Sequence, residues 1–119
     1  MLALEEWPGG FGGAPEKSLR IIARASDWQS FWPAFDRSEL ARFIDGANEA
    51  VVASVGLRPT GGFGIAVIDA HIRDNRVRLM LAEVLPAKDA FVSQALTQPW
   101  AVLLLETKGR TLDARWEDG

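Results

Sequence analysis

From Glu49 onward the hydrophobic period is two, and this commits the C-terminal part of the chain to β-strands. Val51, Ala53, Val55 and Leu57 alternate with Val52 and Ser54 as far as a proline-glycine turn. Beyond it, Gly64, Ala66, Ile68, Ala70 and Ile72 are expected on one face, with Asp69, His71 and Arg73 sharing the other with Ile65 and Val67. Asp74-Asn75 is a two-residue turn signal, and Val77, Leu79 and Leu81 continue the alternation on a return strand, so this stretch reads as a hairpin. Ala101-Val102-Leu103-Leu104-Leu105 is apolar on both faces, as a central strand covered by a helix on one side and a further layer on the other would be. Lys108-Gly109 then turns the chain into Thr111 to Trp116. The pattern from Ala87 to Leu96 fits a short helix and an extended run equally.

The N-terminal third is different. A short strand around Leu2 to Trp7 is expected to enter a turn-rich excursion at Pro8 to Pro15, where four glycines surround Phe11. Neither dinucleotide-loop spacing nor a following Gly-Lys-Ser/Thr is present, so the glycines read as turn residues rather than a phosphate cradle. Leu19 to Arg24 alternates as a strand, with Leu19, Ile21 and Ala23 on one side. Ser26 and Gln29 have the spacing of a capping box, and Trp28, Phe31, Trp32 and Phe35 follow at helical spacing, an aromatic stripe suited to packing on a sheet. Pro33 requires that helix to be short or kinked. A second helix is expected from Ser38, burying Leu40, Phe43 and Ile44 and stopping at Gly46. The sum is a single α+β domain over residues 1–119, mainly antiparallel sheet in a sandwich or partly open barrel, with two short helices in the N-terminal third.

Composition narrows the chemistry. With 119 residues the chain can bury roughly two thirds of its unfolded surface. It has no Cys, which removes thiol catalysis and thiolate metal sites. A net charge of −3 without a cluster of Lys or Arg argues against a nucleic-acid or anionic-membrane footprint. The longest apolar run is too short to span a bilayer, and no export signal is visible, so the compartment stays open between cytoplasm and a mature exported form. His71 is the single histidine and there is no Tyr. Its neighbours Asp69 and Arg73 suit a solvated surface histidine better than a general base, no ligand spacing favours a metal, and no cofactor motif occurs. A noncatalytic domain is the expectation.

Two loops stand out as recognition elements. In Arg58-Pro59-Thr60-Gly61-Gly62-Phe63, proline and glycines build a rigid turn between strands. In Thr97-Gln98-Pro99-Trp100, a large amphipathic ring opens the next apolar strand. Arg58, Pro59, Thr60, Gly61, Gly62, Phe63, Gln98, Pro99 and Trp100 are therefore the expected partner-binding residues. Thr60 would offer a hydroxyl, Gly61 and Gly62 backbone amides, and Trp100 contact area. A small-molecule or glycan module using Phe63 and Trp100 as platforms is the alternative, as is a purely internal role for both loops.

These motifs carry a resemblance. A G-x-x-P-T-G-G-aromatic loop after a hydrophobic strand, followed by a T-x-P-aromatic segment, is similar to the C-terminal domain of the PrcB family, bacterial proteins named for a subunit of a surface protease complex. The likeness covers about Glu49 to Glu106. Phe63 and Trp100 stand where tyrosine is the commoner aromatic. The pair of loops also resembles, more distantly, the loops of chagasin-type inhibitors of papain-like proteases. What the resemblance implies is a noncatalytic protein that binds a protease and stabilises or modulates it. An open sheet edge would further allow a homodimer.

Overall fold

The computed structural model describes residues 4–35 and 43–117. In chain order its elements are β1 (Leu4–Gly9), β2 (Glu16–Ile22), α1 (Ala25–Phe31) running into a 3₁₀ turn (Trp32–Phe35), β3 (Asn48–Gly56), β4 (Gly64–Arg73), β5 (Arg76–Val84), β6 (Trp100–Glu106) and β7 (Thr111–Trp116). The strands form a four-stranded sheet, β1-β6-β3-β2, and a three-stranded sheet, β4-β5-β7. Every pairing is antiparallel except β5 with β7, so the α+β class and the mainly antiparallel sheet are as expected, in an open sandwich.

The two-sided apolar pattern of β6 is explained by its place. β6 and β3 are the central strands of the larger sheet. One face of that pair, with Ala50, Val52, Val102 and Leu104, lies under Trp28 and Trp32 of the helical segment. The other face, with Val51, Ala53, Leu103 and Leu105, packs on Val77, Leu79 and Leu81 of the smaller sheet. The helical aromatics interlock: Trp28 and Trp32 meet edge to face at 5.3 Å and 82°, and Trp7 of β1 joins both. Such pairs add about 0.5–1.5 kcal/mol beyond the apolar area they bury. Pro8 is tolerated in β1 because an edge strand needs only one row of backbone partners.

Four local expectations need correction. The helix begins two residues early: Arg24 is its N-cap without a side-chain bond, and Asp45 accepts the Ala25 N–H at 2.7 Å, a cap supplied from twenty residues away. Ser26 instead accepts, through its carbonyl, the Ser30 hydroxyl. In β4 the single alternating face breaks at a bulge between Val67 and Asp69. The extra residue, Ile68, is exposed, so Ile65 and Val67 before it and Ala70 after it all reach the core, while His71 stays on the outer face. In β2, Ile22 is buried under the helix and Ile21 is exposed. After Gly56, at φ +92, the chain leaves the sheet, so Leu57 is exposed rather than part of the strand face.

The second helix was expected from Ser38 to Gly46; residues 38–42 lie outside the described residues, and the described part is corrected, since residues 43–46 are coil and turn rather than helix and Ile44 is exposed rather than buried. Phe43 packs on Trp28 at 5.5 Å, and Gly46 has the positive φ anticipated for it, +81. Residues 85–96 are neither helix nor strand, with a turn closed by the Ala90 N–H to the Ala87 carbonyl at 3.0 Å.

Candidate functional site

The loop after β3 is fastened to the segment before β6. Arg58 and Thr97 form an isolated antiparallel bridge: the Arg58 N–H donates to the Thr97 carbonyl at 2.8 Å, and the Thr97 N–H returns to the Arg58 carbonyl at 2.9 Å. The buried Thr97 hydroxyl donates to the Thr60 carbonyl at 2.8 Å. The Gly61 N–H donates to the Ser93 carbonyl at 3.0 Å, so this amide is not available to a partner as the sequence suggested. The Thr60 hydroxyl, half-buried, donates to the Gly61 carbonyl at 3.0 Å. These bonds fix the turn from both sides and add about 1 kcal/mol each where they exclude water.

Glycine is required here for two reasons. Gly62 has φ +89, and a Cβ on it would stand 2.7 Å from Val92 and 2.8 Å from Pro86. A Cβ on Gly61 would stand 2.9 Å from the Ser93 hydroxyl oxygen. The turn therefore lies against the 85–97 segment at backbone distance. Pro59 and Gly62 remain exposed at its tip.

Arg58 anchors the other flank. Its Nε and Nη2 donate to the two carboxylate oxygens of Glu83 on β5 at 2.6 and 2.9 Å, while Nη1 donates to the Leu57 carbonyl at 2.9 Å. The hydrogen bond to Glu83 holds the guanidinium more firmly in its charged form than usual, against the opposing effect of burial. The guanidinium also lies 5.8 Å from the Phe63 ring centre, so Phe63 is covered by its own loop and is half-buried. Arg58 and Phe63 thus shape the loop.

Gln98, Pro99 and Trp100 turn inward, away from the Pro59 tip. The Gln98 N–H donates to the Gly10 carbonyl at 3.1 Å and its carbonyl accepts from Gly13 N–H at 3.0 Å, while the buried Pro99 accepts from Val55 N–H at 3.3 Å. Trp100 is 4% exposed. Its indole N–H donates to the Phe11 carbonyl at 2.6 Å, its ring packs on Phe35 at 4.5 Å, and a Cβ on Gly9 would collide with it. The expectation of an exposed aromatic anchor is therefore corrected: Trp100 is a core residue that ties the glycine-rich loop down. The same burial removes it as a platform for a small ligand.

The surface residues that the sequence reading missed lie beside the loop. Leu85, Phe91 and Leu96 are 68%, 106% and 62% exposed, and Leu57 and Val84 flank them at 51% and 44%. All five sit on the segments that clasp Arg58–Phe63. No period marks them in the sequence, because the 85–96 segment is neither helix nor strand. Elsewhere, the His71 ring meets the Asp69 carboxylate at 2.9 Å on an exposed strand face, and no group of metal-ligating side chains occurs among the described residues.

Fold and loops together define a two-sheet β domain that carries a buttressed glycine turn, with exposed apolar side chains on the segments that hold it. Residues 50–106, just under half of the chain, match the family model described as PrcB C-terminal, so that segment is similar to the PrcB C-terminal family. The match runs from β3 to the end of β6 and so contains the whole loop face. No curated protein and no solved structure matches the chain.

Proposed function

We propose that this chain is a noncatalytic protein-binding domain that associates with a protease through the face built by Pro59, Thr60 and Gly62 and the ridge of Leu85, Phe91 and Leu96. The family supports a protease complex as the setting. The observation that carries the choice of face is Phe91, a large apolar side chain with no cover from its own chain, in company with four more exposed apolar side chains. Such a patch is costly to leave in water, and it marks interaction sites on soluble domains. The turn beside it is rigid before contact, so little loop entropy is lost on binding. Arg58, Gly61, Phe63, Gln98, Pro99 and Trp100 act in this reading as the frame that holds the face in shape.

The test is retention of protein from native lysate and culture medium on immobilised wild type and on a folded Leu85→Asp/Phe91→Asp variant, with captured proteins identified by mass spectrometry. A protease held by wild type and lost from the variant is the expected result. A protease held equally by both removes the ridge from the reading, and capture of non-proteases alone removes the protease.

A further inference from the structure

On the outer face of the smaller sheet, the registers of β4-β5 and β5-β7 align side chains in rows. Arg73, Arg76 and Thr111 form one row, and His71, Arg78 and Asp113 the next. The first row closes on the Asp74-Asn75 turn, where Arg73, Asp74, Asn75, Arg76, Arg78 and Thr111 line an open cavity of about 480 Å³. Three arginines and one aspartate are among the lining residues, a surplus of two positive charges (3 − 1).

This arrangement works against the hairpin that carries it. Arg73 and Arg76 are directly opposite on adjacent strands, where like charges are destabilising. Neither has an ion-pair partner among the described residues. The carboxylate nearest to Arg78, that of Asp113, is 3.9 Å from it and is engaged at 2.9 Å by Arg115, whose hydrogen bond lowers the Asp113 pKa below its ordinary value. The chain is acidic overall, so two arginines without an ion pair beside a third that shares its carboxylate with Arg115 are not a reflection of its composition.

The geometry points to this cavity as a binding site for a phosphate-class dianion. A phosphate monoester carries about two negative charges at neutral pH on one compact group. That matches the surplus, whereas a single carboxylate would leave one guanidinium unpaired. Guanidinium forks bond phosphate oxygens in pairs, and the Thr111 hydroxyl and Asn75 amide, both in the lining, supply further donors. The site lies on the outer face of the smaller sheet, separate from the loop face.

Inorganic phosphate titrated into the whole chain at fixed ionic strength, followed by calorimetry, is the test. Saturable one-to-one binding is expected, weakened about tenfold or more in Arg73→Gln and in Arg76→Gln, unchanged in Arg20→Gln, and tightened in Asp74→Asn. Because Arg73 and Arg76 repel each other, neither single variant should melt below wild type in phosphate-free buffer. A second arm uses phosphatidylcholine vesicles with and without phosphatidic acid. Retention on phosphatidic acid that free phosphate reverses assigns the site to a lipid headgroup, and binding of free phosphate without vesicle retention assigns it to a soluble ligand. A wild-type response no greater than that of sodium chloride at matched ionic strength, or equal binding by Arg76→Gln, would overturn the site.

Discussion

Replacing Trp100 by Ala separates a core residue from a binding anchor most sharply. The indole is 4% exposed, packs at 4.5 Å on Phe35 and at 6.2 Å on Trp32, and bonds the Phe11 carbonyl. Truncating a buried tryptophan costs about 3–5 kcal/mol, and loss of the N–H leaves that carbonyl short of a partner, which favours the upper half of the range. Unfolding entropy near 2.1 cal/mol/K per residue gives about 0.25 kcal/mol/K for 119 residues, so a loss of about 4 kcal/mol lowers Tm by about 16 °C. Thermal melts by far-UV circular dichroism and urea titrations at 25 °C measure it independently. Trp100→Phe, which keeps most of the ring but not the donor, should lose about 1–3 kcal/mol. A Trp100→Ala loss below about 1.5 kcal/mol would refute the core assignment, since a well-packed buried indole cannot be removed so cheaply.

Gly62→Ala should lose about 1–3 kcal/mol, read by urea titration, because it combines a φ of +89 with contacts at 2.7 and 2.8 Å; a neutral result would mean that Val92 and Pro86 yield freely. Glu83→Gln should lower stability by about 1–2 kcal/mol at low salt, and less at 1 M salt if the fork to Arg58 is responsible. Asp113 has its pKa depressed by the hydrogen bond from Arg115 and the nearby arginines, so its contribution is present above the ordinary carboxylate pKa and is lost as pH falls through the depressed value. Melts of wild type and Asp113→Asn should therefore differ at pH 7 and converge in acid below about pH 4; a constant offset down to the lowest pH would contradict that origin. Leu85→Asp/Phe91→Asp should melt within about 0.5 kcal/mol of wild type, as exposed positions do.

Strands were more legible than faces. The hairpin at Asp74-Asn75 and the central place of β6 follow from local alternation, which needs no knowledge of distant residues. The bulge at Ile68 was hidden because two overlapping apolar sets, Ile65 with Val67 and Ala70 with Ile72, only reconcile when a residue is left unpaired. The helix cap escaped because Asp45 reaches Ala25 through the fold, while Ser26 offered a complete local pattern that the chain does not use.

The same distinction divides the site. The Arg58–Phe63 turn was visible as a turn because proline and glycine announce backbone geometry. Its support was not: Glu83, Ser93 and Thr97 reach it from 25 or more residues away. Trp100 was misplaced for a related reason. An aromatic after a proline looks alike whether it faces solvent or a glycine loop, and here the deciding bond runs to Phe11, 89 residues back. The apolar ridge of Leu85, Phe91 and Leu96 carries no periodic signal, and only burial separates it from the core leucines.

Site-specific photocrosslinking tests the binding face most directly. A benzophenone amino acid is placed at Phe91, and for comparison at Arg115 on the outer face of the smaller sheet, followed by irradiation in native extract and identification of the adducts. Adducts to a protease from position 91 and none from position 115 are the predicted result. Protease adducts from position 115 alone, or none from either position, would contradict the loop face as the surface that a protease meets.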